Sequence, residues 1–220
     1  LTLNVPEPVP EVPSALRERL LVVNNDVPAG FARNHNAAFR HCDTDYFCVL
    51  NPDVRLGRSP FDALIASLRD ARVGMAAPAV RGPEGGVEDS ARFFPTVPSL
   101  MAKLLGRGDG RVPVEGADPQ PVDWAAGMFH LYRSEVFRRV GGFDEGFHLY
   151  YEDVDLCARL WKAGFSVLLH PGVSVVHHAQ RDSRRKPRYF LWHVTSMLRY
   201  FAKHMGRLPR RGAHDSGRRA

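Results

Sequence analysis

Glu152, Asp153 and Asp155 crowd three carboxylates into four residues of the segment Tyr150-Tyr151-Glu152-Asp153-Val154-Asp155-Leu156. Leu156, Leu160 and Trp161 follow at helical spacing, and Gly164 closes the pattern as a C′ glycine, so the acids stand at a helix start. A helix N-terminus favours negative charge, which explains one of these acids by capping but does not readily explain three. On a helix Asp155 points away from Asp153, so the two should have separate roles. A carboxylate that faces a cleft can act as general base on a hydroxyl.

Three further groups have types that fit phosphate or metal chemistry. Asp53 follows the apolar run Tyr46–Leu50, and ligands in open α/β sheets sit at the carboxyl ends of strands. A carboxylate there can hold Mg²⁺ or Mn²⁺, which prefer oxygen ligands, or can simply form a turn after Pro52. His177 and His178 follow the apolar run Val173–Val176. Adjacent side chains on a strand point to opposite faces, so at most one of the two should face a site, where it could complete a metal centre or contact a phosphate. Gly30-Phe31-Ala32-Arg33-Asn34-His35-Asn36 opens a helix after a strand, a place where a phosphate can be held, but it is neither G-x-G-x-x-G nor a P-loop.

The elements that must position these groups alternate between strand and helix. Apolar runs predict strands at Leu20–Val23, Tyr46–Leu50, Val73–Val80 and Phe165–His170, the last ending in a Pro171-Gly172 turn. Helical patterns cover Gly30–Phe39, Ser59–Leu68, Ser99–Leu105, Glu135–Val140, the acidic segment and Tyr189–His204. Residues 1–15 read as a Pro/Glu/Val linker. The alternation predicts an α/β domain.

Composition narrows the function classes. The chain has 220 residues, enough for one domain with a tail, and no apolar run long enough to span a bilayer. Its three cysteines, Cys42, Cys48 and Cys157, form no C-x-x-C pair, which argues against a disulfide framework or zinc site and for a reducing compartment. The net charge of +6 is unevenly distributed: residues 181–220 hold 12 of the 30 Lys/Arg and 2 of the 24 Asp/Glu, so the rest has 18 basic and 22 acidic residues. A basic tail can attract phosphate-bearing lipid or nucleic acid, or simply be solvated. A net acidic body argues against a nucleic-acid-binding protein, and no nucleic acid is expected as a partner.

Taken in order, these segments resemble glycosyltransferase family 2, in its bacterial rhamnosyltransferase-like branch. The resemblance runs over roughly residues 20–205. It is carried by Val23-Asn24-Asn25 with Gly30 to Asn36, Leu50-Asn51-Pro52-Asp53-Val54, Ala126-Gly127-Met128-Phe129 with Arg133, Gly141-Gly142-Phe143-Asp144-Glu145, Tyr150 to Leu156 with Arg159, and Val176-His177-His178. It implies a GT-A-type, Rossmann-like three-layer domain with a mostly parallel central sheet. It also implies inverting transfer of a sugar, rhamnose or a similar hexose, from a nucleoside-diphosphate donor to a glycan or lipid-linked glycan.

The resemblance assigns roles residue by residue. Asn51-Pro52-Asp53 stands where the family often has Asp-x-Asp, which makes Asp53 the better metal candidate, with His177 beside it and Mg²⁺ or Mn²⁺ as cofactor. Glu152-Asp153 matches the catalytic base position, with Asp153 preferred and Glu152 next. Gly30, Asn34, Asn36 and Asn51 are expected at the donor or acceptor, Gly127 and Met128 along the acceptor side, and Asp144 and Glu145 at its rim. The family usually opens with one strand ending in Tyr-Asn and another ending in Asp-Asn-x-Ser, and neither occurs before Leu20. The expected division is therefore a linker or remnant at 1–19, a catalytic domain at 20–180 and a basic helix and tail at 181–220. Much of the nucleotide pocket is expected to be missing, leaving the chain inactive alone or dependent on an N-terminal segment. A non-catalytic nucleotide-sugar-binding module is the alternative. The expected location is the cytoplasm, with peripheral contact at the inner face of the cytoplasmic membrane through the basic C-terminal helix.

Overall fold

The computed structural model describes residues 1–88, 90–113, 115–178 and 187–209. In chain order the elements are β1 (Thr2–Leu3), α1 (Ser14–Arg17), β2 (Val23–Asn24), α2 (Phe31–Phe39), β3 (Tyr46–Leu50), β4 (Val54–Arg55), α3 (Phe61–Leu68), β5 (Val73–Arg81) and β6 (Ala91–Arg92). They continue with α4 (Val97–Leu104), β7 (Gln120–Pro121), β8 (Trp124–Ala125), β9 (Phe129–Arg133), α5 (Ser134–Arg139), α6 (Glu152–Lys162), β10 (Ser166–His177) and α7 (Pro187–His204). The C-terminal tail expected after this last helix lies outside the described residues from position 210 onward.

A six-stranded sheet in the order β3-β9-β5-β10-β4, with β7 also paired to β10, forms the centre. β5 and β10 are parallel, while β9 runs against both β3 and β5, and β4 and β7 run against β10. Strands β3, β5 and β10 therefore share one direction and the sheet is mixed, where the resemblance implied a mostly parallel one. The strand β9 is the reason: its direction depends on which sheet edge its connections reach, and no local pattern encodes that. This topology also places the carboxyl ends of β3, β5 and β10 and the amino end of β9 along one edge.

Strand β5 is buried from Val73 to Val80, as a central strand covered on both faces must be. On one face Ala76, Val80, Phe129, Leu131 and Val175 pack against Leu64 and Leu68 of α3. On the other, Phe47, Val49, Met75, Ala77, Tyr132 and Val167 meet the helices α2, α5, α6 and α7 through Ala32, Phe137, Leu156, Leu160 and Tyr200. Period-2 alternation in the strands thus produces a three-layer domain, and each fully buried large apolar side chain contributes roughly 1.5–3 kcal/mol.

Two expectations need correction. The Pro171-Gly172 turn is a bulge within β10: the ladder runs through His170 opposite Pro78 and resumes with Ser174 opposite Ala79. The segment bows out where the Gly172 N–H donates to the Ala117 carbonyl, 3.1 Å. A proline inside β5, which has no N–H to give the ladder, is tolerated beside this irregularity. The linker at 1–15 is also not featureless. Thr2–Leu3 pairs in parallel with Val23–Asn24, and Leu3 is buried. Two residues are too short a stretch for a periodicity to declare itself.

Candidate active site

The start of α6 is built by an unusual turn. Tyr150 and Tyr151 both adopt left-handed backbone, φ 70° and 66°. Each such non-glycine residue costs on the order of 1–3 kcal/mol and persists only where its surroundings enforce it. The Tyr151 ring lies 5.4 Å from both Tyr200 and His193, and Ser196 Oγ donates to the Leu149 carbonyl, 2.9 Å, so α7 holds this turn from outside. The turn directs Glu152 and Asp153 into a cavity of about 420 Å³ walled by Phe93, Trp124, Tyr150, Tyr151, Lys103 and His193.

Asp153 is held by two backbone donors. The Gly127 N–H reaches Oδ2 at 3.0 Å and the Val154 N–H reaches Oδ1 at 2.8 Å. A Cβ at Gly127 would approach Phe31 to 3.2 Å, which explains why a residue without a side chain stands there. Burial pushes the Asp153 carboxyl up to about 6, against the pull of the bonds from Gly127 and Val154. Glu152 is buried, and its Oε2 has no hydrogen-bond partner. Burial, and then the neighbouring Asp153 charge, raises its carboxyl well above the usual range. Two carboxylates this close and this buried titrate as an interacting pair.

The second cluster lies on the sheet edge. Asp53 follows β3, and its carbonyl accepts from the His178 N–H at 2.9 Å. His177 ends β10 opposite Val54. Its Nε2 stands 3.3 Å from Asp53 Oδ2, and its Nδ1 stands 2.9 Å from Glu88 Oε2. The other Asp53 oxygen, Oδ1, is buried and unpartnered. Among the described residues no three His, Cys, Asp or Glu side chains are grouped as a metal cage. A two-ligand site is nevertheless chemically sufficient, because Mg²⁺-type sites take one or two carboxylates and fill their other positions with substrate phosphates and water. The Asp53 carboxylate, with Oδ2 near His177 Nε2 and Oδ1 without a partner, fits that requirement.

Residues 120–182, which include Gly127, Glu152, Asp153 and His177, match the family model described as the N-terminal domain of galactosyltransferase. Rhamnosyltransferase WbbL of Escherichia coli (strain K12) is 33% identical over 186 residues, covering 79% of this chain and 70% of WbbL. This chain belongs to glycosyltransferase family 2, in its rhamnosyltransferase-like branch. An N-acetylglucosaminyl-diphospho-decaprenol L-rhamnosyltransferase of Mycobacterium tuberculosis is 39% identical over 153 residues, 65% of this chain and 50% of that protein. The chain therefore spans only half the length of this second relative. Two solved structures share the GT-A fold at 16% identity. GalNAc-T7 with UDP, GalNAc and Mn2+ gives a TM-score of 0.56 over 72% of this chain and 32% of its own. The mannosyltransferase PcManGT from Pyrobaculum calidifontis, in complex with GDP-Man and Mn2+, gives 0.54 over 84% and 46%.

Within this family frame the remaining candidates separate into those near the two clusters and those tied into the scaffold. The Asn51 N–H donates to the Met128 carbonyl, 3.0 Å, which joins the Asp53 turn to the Gly127-Met128 segment. Gly30 sits where a Cβ would collide with the His148 carbonyl, and that carbonyl accepts the Phe31 N–H at the start of α2. The Asn34 Oδ1 accepts from Asn25 Nδ2 at 2.8 Å. The Asn36 side chain bonds the Phe143 backbone on both sides at 2.9 Å and Glu145 Oε1 at 3.0 Å. Asp144 pairs with Arg199 at 2.9 Å and Lys203 at 2.8 Å. Asn36, Asp144 and Glu145 thus fix the loop that leads into the Tyr150-Tyr151 turn.

Asp155 does the same from within. It is fully buried and contacted by Arg159 Nε at 2.8 Å, Lys203 Nζ at 2.7 Å and His204 Nε2 at 2.7 Å. Burial alone would raise its carboxyl, but the bonds from His204 and Lys203 and the Arg159 charge hold it well below the usual range. Arg159 also donates to the carbonyls of Val140 and Gly142. Sequence reasoning missed Glu88, the two left-handed tyrosines and the cavity wall from α4 and α7. Glu88 follows a glycine-rich turn, where an acid reads as solvated charge. The tyrosines carry none of the Gly or Asn signals of left-handed backbone.

Proposed function

We propose that this chain carries the acceptor-side machinery of an inverting glycosyltransferase that moves rhamnose or a similar hexose from a nucleoside-diphosphate donor to a glycan or lipid-linked glycan. The observation that carries this reading is the Glu152–Asp153 pair. It is a desolvated carboxylate pair, its shifts dominated by burial, facing a cavity of about 420 Å³. That is the environment a general base working near neutral pH needs. The names of WbbL and of the mycobacterial relative support the sugar and the lipid-linked acceptor.

Asp153 takes the proton of an acceptor hydroxyl, with the N–H groups of Gly127 and Val154 fixing the carboxylate. The hydroxyl oxygen bonds to the anomeric carbon as the bond to the donor diphosphate breaks, in one in-line displacement that inverts the configuration. Asp53 and His177 would hold Mg²⁺ or Mn²⁺, whose charge offsets that of the departing diphosphate. Tyr150, Tyr151 and Trp124 orient the acceptor and exclude water.

The test is a donor screen on the full-length protein with and without Mg²⁺ or Mn²⁺. One nucleoside-diphosphate sugar should be turned over, and only with the cation. Donor binding without turnover by the full-length protein would favour the non-catalytic module instead.

Peripheral membrane contact is the finer part of the reading. Among the described residues no helix is long and apolar enough to cross a membrane. The helices α4 and α7 expose Met101, Leu104, Phe190, Leu191 and Leu198, and Met205 is exposed just after α7. Residues 91–108 and 187–209 together contain seven Lys/Arg and no Asp/Glu. Apolar surface flanked by basic residues suits an anionic bilayer. The protein should sediment with phosphatidylglycerol vesicles at low salt and not with phosphatidylcholine vesicles; equal behaviour with both would remove this part.

A further inference from the structure

We propose that Glu88 is the positioning residue of the Asp53–His177 pair, setting the imidazole so that Nε2 presents its lone pair to a divalent cation. This inference rests on the metal reading above and adds a residue that the family motifs did not point to.

His177 is firmly held. Its strand pairs with β4 on one side, His177 opposite Val54, and with β5 on the other, Val176 opposite Arg81. The backbone therefore leaves the ring little freedom except rotation about its own bonds. Glu88 is fixed just as closely. The turn after β5 closes through the Gly82 N–H to the Gly86 carbonyl, 2.9 Å, with Gly85 at φ 83°. The Glu88 N–H then returns to the Val80 carbonyl at 2.8 Å. The carboxylate is thereby delivered beside the end of β10 by a hairpin.

The geometry divides the two ring nitrogens. Glu88 Oε2 lies 2.9 Å from Nδ1, and Asp53 Oδ2 lies 3.3 Å from Nε2. A carboxylate at Nδ1 needs the proton there, so a neutral ring turns the Nε2 lone pair toward Asp53. With Glu88 holding Nδ1, Nε2 is the ring nitrogen on the Asp53 side, where a cation would be bound. The second Asp53 oxygen, buried and without a partner, is available to the same cation. Glu88 itself stands behind the ring, consistent with the absence, among the described residues, of three side chains grouped as a cage. Carboxylates in this position fix the orientation of a ligating histidine and raise its basicity.

Ser90, two residues further along the chain, reaches the other half of the site. The Ser90 carbonyl accepts from the Ala126 N–H at 2.8 Å, directly before Gly127, which holds Asp153. Glu88 should nevertheless act on the metal side alone, because its carboxylate meets His177 and not the Gly127–Asp153 pair.

The experiment uses the full-length protein with Mn²⁺ as the probe, free Mn²⁺ being followed by electron paramagnetic resonance. Imidazole ¹⁵N NMR of the metal-free protein reports the His177 tautomer, which a purely structural role would not set. Glu88→Leu should weaken Mn²⁺ binding about 10–100-fold. Glu88→Gln should weaken it less, because the amide oxygen still accepts from Nδ1. Wild type should show the Nδ1–H tautomer, which Glu88→Leu should lose. If Glu88→Leu fails to fold, wild type and Glu88→Gln still decide through the tautomer. Wild-type affinity in Glu88→Leu, or an Nε2–H tautomer in wild type, would overturn the assignment and leave the metal reading standing. A wild-type protein that binds no Mn²⁺ would remove both.

Discussion

Asp153 and Asp155 stand two residues apart on one helix and live in opposite environments. About 200° of helical rotation separates them. Asp153 faces a cavity and receives two backbone N–H bonds. Asp155 faces α7 and α5 and receives Arg159, Lys203 and His204. Both are desolvated, yet burial prevails at Asp153 and raises its carboxyl to about 6, while the cations prevail at Asp155 and lower it. Burial alone therefore does not determine the behaviour of a carboxylate; the presence of cations does. The motif combines a site for moving a proton with a clamp that keeps that site in shape.

Asp153→Asn tests the contrast most severely. Transfer should fall about 10²–10⁴-fold, the usual contribution of a positioned base, with an unchanged circular dichroism spectrum. Near wild-type turnover would move the base elsewhere, first to Glu152. Asp155→Asn should act on the other side of the comparison, destabilising the protein by about 3–5 kcal/mol because Arg159 loses its carboxylate partner and Lys203 one of its two. Urea unfolding measures this, and unchanged stability would break the clamp.

The two aspartates should also bend the pH dependence of stability in opposite senses. Asp155 is lowered in the fold, so its contribution is complete above its unfolded value, about 4, and is lost as pH falls below it. Asp153 is raised, so its contribution is present below about 4 and is lost as pH rises through about 6. Asp153→Asn should therefore gain stability relative to wild type at pH 8 compared with pH 5, and an equal difference at both would contradict the shift. The smallest effect belongs to Ser196→Ala. Losing the bond to the Leu149 carbonyl should cost about 1 kcal/mol and raise KM for the acceptor more than for the donor. A change confined to the donor KM would show that α7 does not shape the acceptor side.

Much of this was legible in the sequence, for identifiable reasons. Tyr46–Leu50 and Val73–Val80 announce themselves as strands because burial on both faces demands unbroken apolar runs. Asp53, Asp153 and His177 stood out through the ordered resemblance to the family; taken singly, each also read as a turn former, a helix cap or a structural histidine. Their companions did not. Glu88 reaches His177 only through the parallel pairing of β5 and β10, a contact between residues far apart in sequence. The left-handed Tyr150 and Tyr151 are imposed by packing against α7, which local propensity does not contain. The bulge at Pro171–Val173 read as a turn because Pro-Gly is a turn dipeptide; only the resumed ladder beyond it reveals a continuing strand. Asn36 and Asp144 looked like ligand contacts, and their bonds into the 142–145 loop and α7 depend on tertiary placement.

The most direct test of the proposed base is the pH dependence of kcat/KM for sugar transfer by the full-length protein, compared with Glu152→Gln. Wild type should lose activity in acid with an apparent midpoint near 6. Glu152→Gln should keep turnover and narrow that limb to a single ionisation. A profile flat from pH 5 to 8 in wild type, or activity abolished in Glu152→Gln while Asp153→Asn remains active, would contradict Asp153 as the group that takes the acceptor proton.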